Sequence, residues 1–69
     1  MEIVAPLTGN VWRILVSEGD TVNAGDTLVI LESMKMEINV DTVFDGKVVK
    51  VLKHEGEMVQ GDEPLIILE

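Results

Sequence analysis

Apolar residues in this chain come in short bursts rather than along a helical stripe. Thr27-Leu28-Val29-Ile30-Leu31, Ile38-Asn39-Val40 and Leu65-Ile66-Ile67-Leu68 are strand-length, and β-branched side chains in this proportion favour a sheet. Two further strands are expected at Asn10–Val16 and Lys47–Lys53. Each runs into a glycine turn, Glu18-Gly19-Asp20 or Glu55-Gly56-Glu57, where glycine supplies a positive φ. One apolar residue follows, Val22 or Val59. A second turn comes next, Ala24-Gly25-Asp26 or Gly61-Asp62-Glu63-Pro64. Asp20, Asp26 and Asp62 read as turn formers. Short strands punctuated in this way predict an all-β sandwich or barrel.

The chain is also an internal repeat. Shifted by 37 residues, Gly9 falls on Gly46, Val11 on Val48, Leu15 on Leu52, Glu18 on Glu55, Gly19 on Gly56 and Val22 on Val59. Leu28, Ile30, Leu31 and Glu32 fall on Leu65, Ile67, Leu68 and Glu69. Two copies are too few for a solenoid. They predict instead a closed structure of two quasi-symmetric halves, residues 5–32 and 42–69.

Strict alternation fails in the first strand. With Val11 inward, Arg13 would also point inward, although Ile14 and Val16 are the better core residues. A β-bulge between Val11 and Ile14 resolves the conflict. It brings Trp12 to the surface, whereas the plainer reading makes Trp12 a half-buried hydrophobe.

Composition narrows the function. Thirteen acidic residues against five basic ones leave a net charge of −8, which repels nucleic acid and anionic membrane surfaces. Sixty-nine residues make one domain, 1–69, without cysteine and with only His54 as a histidine. No disulfide or metal cluster is expected, so stability must come from a core of Val, Ile and Leu. Ser17 and Ser33 have no evident histidine–acid partnership, the glycines form no phosphate loop, and no catalytic residue is assigned. Met1-Glu2-Ile3-Val4 does not resemble a signal peptide, and the apolar runs are too short to span a bilayer. A cytoplasmic monomer is the expectation.

The candidate chemistry lies at the join between the halves, in Glu32-Ser33-Met34-Lys35-Met36-Glu37. No other lysine or arginine occurs between Arg13 and Lys47. Strands on both sides put Lys35 near the turn of a hairpin with no symmetry mate. The segment resembles the Met-Lys-Met signature of biotinyl domains, and the resemblance runs from Ala5-Pro6-Leu7-Thr8-Gly9 through Glu18-Gly19-Asp20-Thr21-Val22 to the final strand. It implies a flattened β-barrel, or barrel–sandwich hybrid, with the modified lysine at one end and the termini at the other. Ser33 stands where that family often has alanine, and Val16 to Val22 is too short for the protruding thumb of some members.

The resemblance implies that a biotin protein ligase attaches biotin to Lys35. It also implies that the arm carries a carboxyl group from a biotin carboxylase to a carboxyltransferase, with no bond chemistry by the domain itself. Met34 and Met36 are then recognition residues, or they merely glue down the turn. Ser33, Glu32 and Glu37 are either features that the ligase reads or solvated hairpin residues. Lipoate on Lys35, alone or alongside biotin, is the alternative, although lipoyl domains more often show Asp-Lys-Ala. An unmodified barrel–sandwich adaptor is a third reading. The chain suits either a free-standing carrier or a domain excised from a larger protein.

Overall fold

Eight strands and no helix form over Met1–Glu69 in the computed structural model. In chain order they are β1 (Glu2–Val4), β2 (Gly9–Ile14), β3 (Thr21–Val22), β4 (Thr27–Ser33), β5 (Met36–Asp41), β6 (Gly46–Val51), β7 (Met58–Val59) and β8 (Pro64–Leu68). They build two antiparallel sheets, ordered β1-β8-β6-β3 and β5-β4-β2-β7. No helix is long and apolar enough to cross a membrane.

The halves interlock: β3 pairs with β6 and β7 with β2, so each short strand completes the sheet of the other half. The repeat also extends beyond its identities. Glu2-Ile3-Val4 of β1 matches Asn39-Val40-Asp41 of β5, and Ile3 and Val40 are both buried. The four-stranded units are therefore residues 2–32 and 39–69, three residues longer at the front than the matched sequence suggests.

Bulges set which residues face inward. The β2–β4 register slips between Val11 and Arg13, leaving Trp12 as the extra residue, and β6–β8 slips at the twin site between Val48 and Lys50. Trp12 consequently lies outside, 39% exposed, with the Arg13 guanidinium 5.1 Å from its ring centroid. That separation is within cation–π range. Ile14 and Val16, expected in the core, only pack against its margin. A second pair of slips, at Leu28 and Leu65, lets Leu28-Val29 and Leu65-Ile66 both point inward. The core is aliphatic, as expected: Phe44 is excluded along with Trp12. Its one buried polar residue, Thr42, stands where Ala5 stands in the other half, and its hydroxyl bonds with the Phe44 backbone.

Four acidic side chains pin the turns. Asp20 accepts from Ser17 N–H, Asp26 from Asn23 N–H, Glu57 from His54 N–H and Glu63 from Gln60 N–H. Asp62 forms its turn as expected, but through its backbone. It is the repeat partner of Gly25 and takes the same left-handed conformation, φ 72° against 96°, which aspartate tolerates better than most residues.

Glu63 also receives the Lys53 ammonium at 2.8 Å, the one ion pair of the fold. The hydrogen bond from Lys53 holds the Glu63 carboxyl below its ordinary 4.5, helped by Gln60 N–H. The same bond raises Lys53 above 10.5. A depressed carboxyl stabilises the fold above its unfolded pKa, and that stability is lost as pH falls through the folded value. The raised amine contributes fully below its unfolded pKa and loses this as pH climbs through the folded value. Glu63→Gln should therefore lose less thermal stability than the parent below about 4.5 and above 10.5. Melting curves at stepped pH check this, and an unchanged acid limb would contradict it.

Candidate cofactor-attachment site

Strands β4 and β5 pair without interruption up to the turn: Leu31 faces Ile38, Glu32 faces Glu37 and Ser33 faces Met36. Only Met34 and Lys35 remain as the loop, with φ values of 53° and 64°. Positive φ at both central residues is the I′ pattern, whose twist matches that of the strands and which usually selects Asn-Gly. Left-handed backbone costs a residue with a Cβ roughly 1–2 kcal/mol. Stability alone would not place these two residues here, and such local conflicts concentrate at functional sites.

Met34 is 92% exposed and Met36 65%, so Met34 does not glue the turn to the body. Lys35 is exposed and makes no hydrogen bond or ion pair. Its amine is free at the tip of a paired ribbon whose base is anchored by the buried Leu31 and Val11. Chain termini lie at the other end: Met1 and Leu68 exchange backbone bonds of 2.9 and 2.7 Å, and Glu69 bonds Lys47 beside β3. By the repeat, this β8–β1 junction is the counterpart of the Lys35 hairpin, left open.

Glu32 and Glu37 are direct cross-strand neighbours, and neither has a cation partner. Like charges facing each other weaken a ribbon. Ser33 is half-buried at the strand end. On the other side of Glu32 is Asn10, whose side-chain amide faces the carbonyl oxygens of Gly56 and Glu57, so that its nitrogen, once turned toward them, donates at 2.9 and 3.1 Å.

Gly9 enters the sequence reading only as the repeat partner of Gly46 and within the matched Ala5–Gly9 segment, yet it sets how closely β2 approaches this ribbon. A Cβ there would lie 2.9 Å from the Glu32 carbonyl oxygen. Gly9→Ala must push β4 away directly beneath the hairpin. The expected cost is about 1–3 kcal/mol, read as a lower urea midpoint with an unchanged m-value. A midpoint equal to the parent's would contradict the close approach.

Two open clefts flank the barrel, one of about 510 Å³ and one of about 370 Å³. Neither includes Lys35. The first is lined by repeat partners, Ile14 with Val51, Ser17 with His54 and Glu18 with Glu55. Ser17 and His54 thus share a cleft, but only their backbones are hydrogen-bonded to acids, at Asp20 and Glu57. No group of three potential metal ligands forms.

The family model described as "Biotin-requiring enzyme" matches residues 1–68. This chain belongs to that family. Among its relatives, the "Biotinylated protein TB7.3 homolog" of Mycobacterium leprae (strain TN) is 39% identical over 97% of this chain and 94% of its own length. The mitochondrial methylcrotonoyl-CoA carboxylase subunit alpha of Mus musculus is 38% identical over 96% of this chain, which spans only 9% of that protein. Among solved structures, the Kluyveromyces lactis urea carboxylase superposes with a TM-score of 0.93 at 33% identity. That match covers all of this chain and 6% of the larger one. The two-sheet fold with its lysine hairpin is therefore a biotin-carrier fold that occurs both as a small protein and as a minor part of large carboxylases.

The residues present fit biotin. An amide needs an amine that is uncommitted, accessible and held away from the body, and Lys35 meets all three conditions. The Met34-Lys35 loop offers no cavity that would trap an attached arm.

Proposed function

We propose that Lys35 carries biotin in amide linkage and that the domain moves a carboxyl group between the active sites of a biotin-dependent carboxylase. The observation that carries this reading is the two-residue left-handed turn, which presents the unpaired Lys35 amine at the end opposite the termini. Bound biotin would supply a ureido nitrogen on which the carboxyl group travels. The protein's own residues hold the attachment point still: β4 and β5 fix the direction of departure, and Gly9 lets β2 brace them. A rigid platform lowers the ordering cost each time a partner captures the tip. Tethering raises the effective concentration of the group at both sites.

The partners in this reading are a biotin protein ligase, a biotin carboxylase and a carboxyltransferase, with the domain acting as a monomer and supplying no catalytic group. The test is to incubate the biotinylated protein with a biotin carboxylase, ATP and labelled bicarbonate. One acid-labile label per chain is expected, and none with the Lys35→Ala protein. A biotinylated protein that takes up no label contradicts the carboxyl-carrier role. A protein loaded only by a lipoyl ligase would turn the reading to acyl transfer.

A further inference from the structure

We propose that the outward face of the β5-β4-β2-β7 sheet, centred on Trp12 and Met58, is the surface on which the biotin protein ligase docks. This rests on the reading that Lys35 is the modified residue. A specific interface takes about 800 Å² from each partner, nearly a fifth of this chain's 4263 Å². The Met34-Lys35 tip cannot supply that area. The footprint must continue onto an adjoining surface while the lysine stays within side-chain reach of the ligase active site.

The internal repeat acts as a control for which surface that is. Met58, 66% exposed, lies across β2 from Glu32, because Asn10 pairs with both. Trp12, 39% exposed, follows two residues along β2. Their repeat partners are Val49 and Thr21, at equivalent places in the other sheet. The same bulge and the same short strand thus form without a tryptophan or a methionine. The twin positions hold the smaller Val49 and the polar Thr21, and the tryptophan and methionine appear only on the sheet that carries the lysine hairpin.

Charge points the same way. Between these residues and the turn stand Glu32 and Glu37, facing each other without a cation. Asn10 occupies the place held by Lys47 on the twin face. A partner offering an apolar pocket, with basic side chains toward Glu32 and Glu37 and an acidic group toward Arg13 over the Trp12 ring, complements this face and relieves the repulsion between the two carboxylates. Tryptophan is the side chain most often found at the energetic centre of such contacts, and methionine adapts its shape to them.

The test replaces both residues by their repeat partners, Trp12→Val with Met58→Thr, and measures steady-state biotinylation by a biotin protein ligase. KM should rise at least tenfold with kcat within twofold, while Val49→Ala on the twin face changes neither. Trp12 is the only tryptophan, so 5-fluorotryptophan-labelled wild-type protein gives a second readout that does not depend on how the variant folds. Its fluorine resonance should shift when ligase is added. An unchanged KM, or a resonance that ligase leaves in place, overturns the proposal even if wild-type Lys35 is biotinylated normally. Wild type that takes no biotin removes the underlying reading instead. Normal biotinylation with impaired turnover by the carboxylase would assign the face to that enzyme and also overturn the proposal.

Discussion

Lys35→Gly yields a protein that melts higher than the parent and accepts no biotin. At φ 64° the lysine backbone occupies the left-handed region, where glycine has no Cβ to clash. Relief of a cost of roughly 1–2 kcal/mol is partly offset by the extra chain entropy that glycine loses on folding. A net gain of about 1 kcal/mol corresponds to about 4–8 °C in a domain of this size. Lys35→Arg keeps the charge and the strained backbone, so its melting temperature should match the parent's while uptake is again abolished. Calorimetry and intact mass read the two effects separately. If Lys35→Gly melted lower, the backbone cost assigned to this turn would be wrong; if it still gained biotin, the attachment site would lie elsewhere.

Leu28→Ala should leave a protein close to unfolding at room temperature. Leu28 is fully buried at a bulge that turns it and Val29 inward together. Large-to-small changes in such positions cost about 2–5 kcal/mol. A chain of 69 residues has a total stability of only roughly 3–10 kcal/mol, so the loss takes a large share of it. Leu65→Ala at the twin bulge should cost a similar amount, since Leu65 is 1% exposed and packs in the same cluster. Urea denaturation measures both, and a loss under about 1 kcal/mol for either would show that the site collapses around the cavity.

The repeat, the glycine turns and the bulge at Trp12 could be read from the sequence because each leaves a local mark. These are matched residues, isolated glycines and an alternation that fails at Arg13. The extension of the repeat into β1 and β5 leaves no such mark. Glu2, Ile3, Val4 and Ala5 share no identity with Asn39, Val40, Asp41 and Thr42, and their equivalence is visible only in burial and pairing. Interlocking of the halves was hidden for a different reason, since β3 and β7 are two-residue strands whose partners are distant in sequence. At the fourth turn Asp62 takes the left-handed conformation that Gly25 takes in the first half, which a turn aspartate does not announce in sequence.

Lys35, the candidate attachment residue, stands out in the sequence by its isolation between two methionines. The conformation of its turn does not, because neither methionine nor lysine encodes positive φ. That is set by β4 and β5 pairing up to Ser33 and Met36, which leaves two residues to reverse the chain. Glu32 and Glu37 were recognisable as flanking residues, but their direct opposition depends on the hairpin register.

Biotin attachment at Lys35 is tested most directly by the intact mass of the protein after incubation with ATP, biotin and a biotin protein ligase, beside the Lys35→Ala variant. One biotin adduct is expected on the parent and none on the variant. A parent that stays unmodified, or a variant that still gains the adduct, would contradict attachment at this lysine.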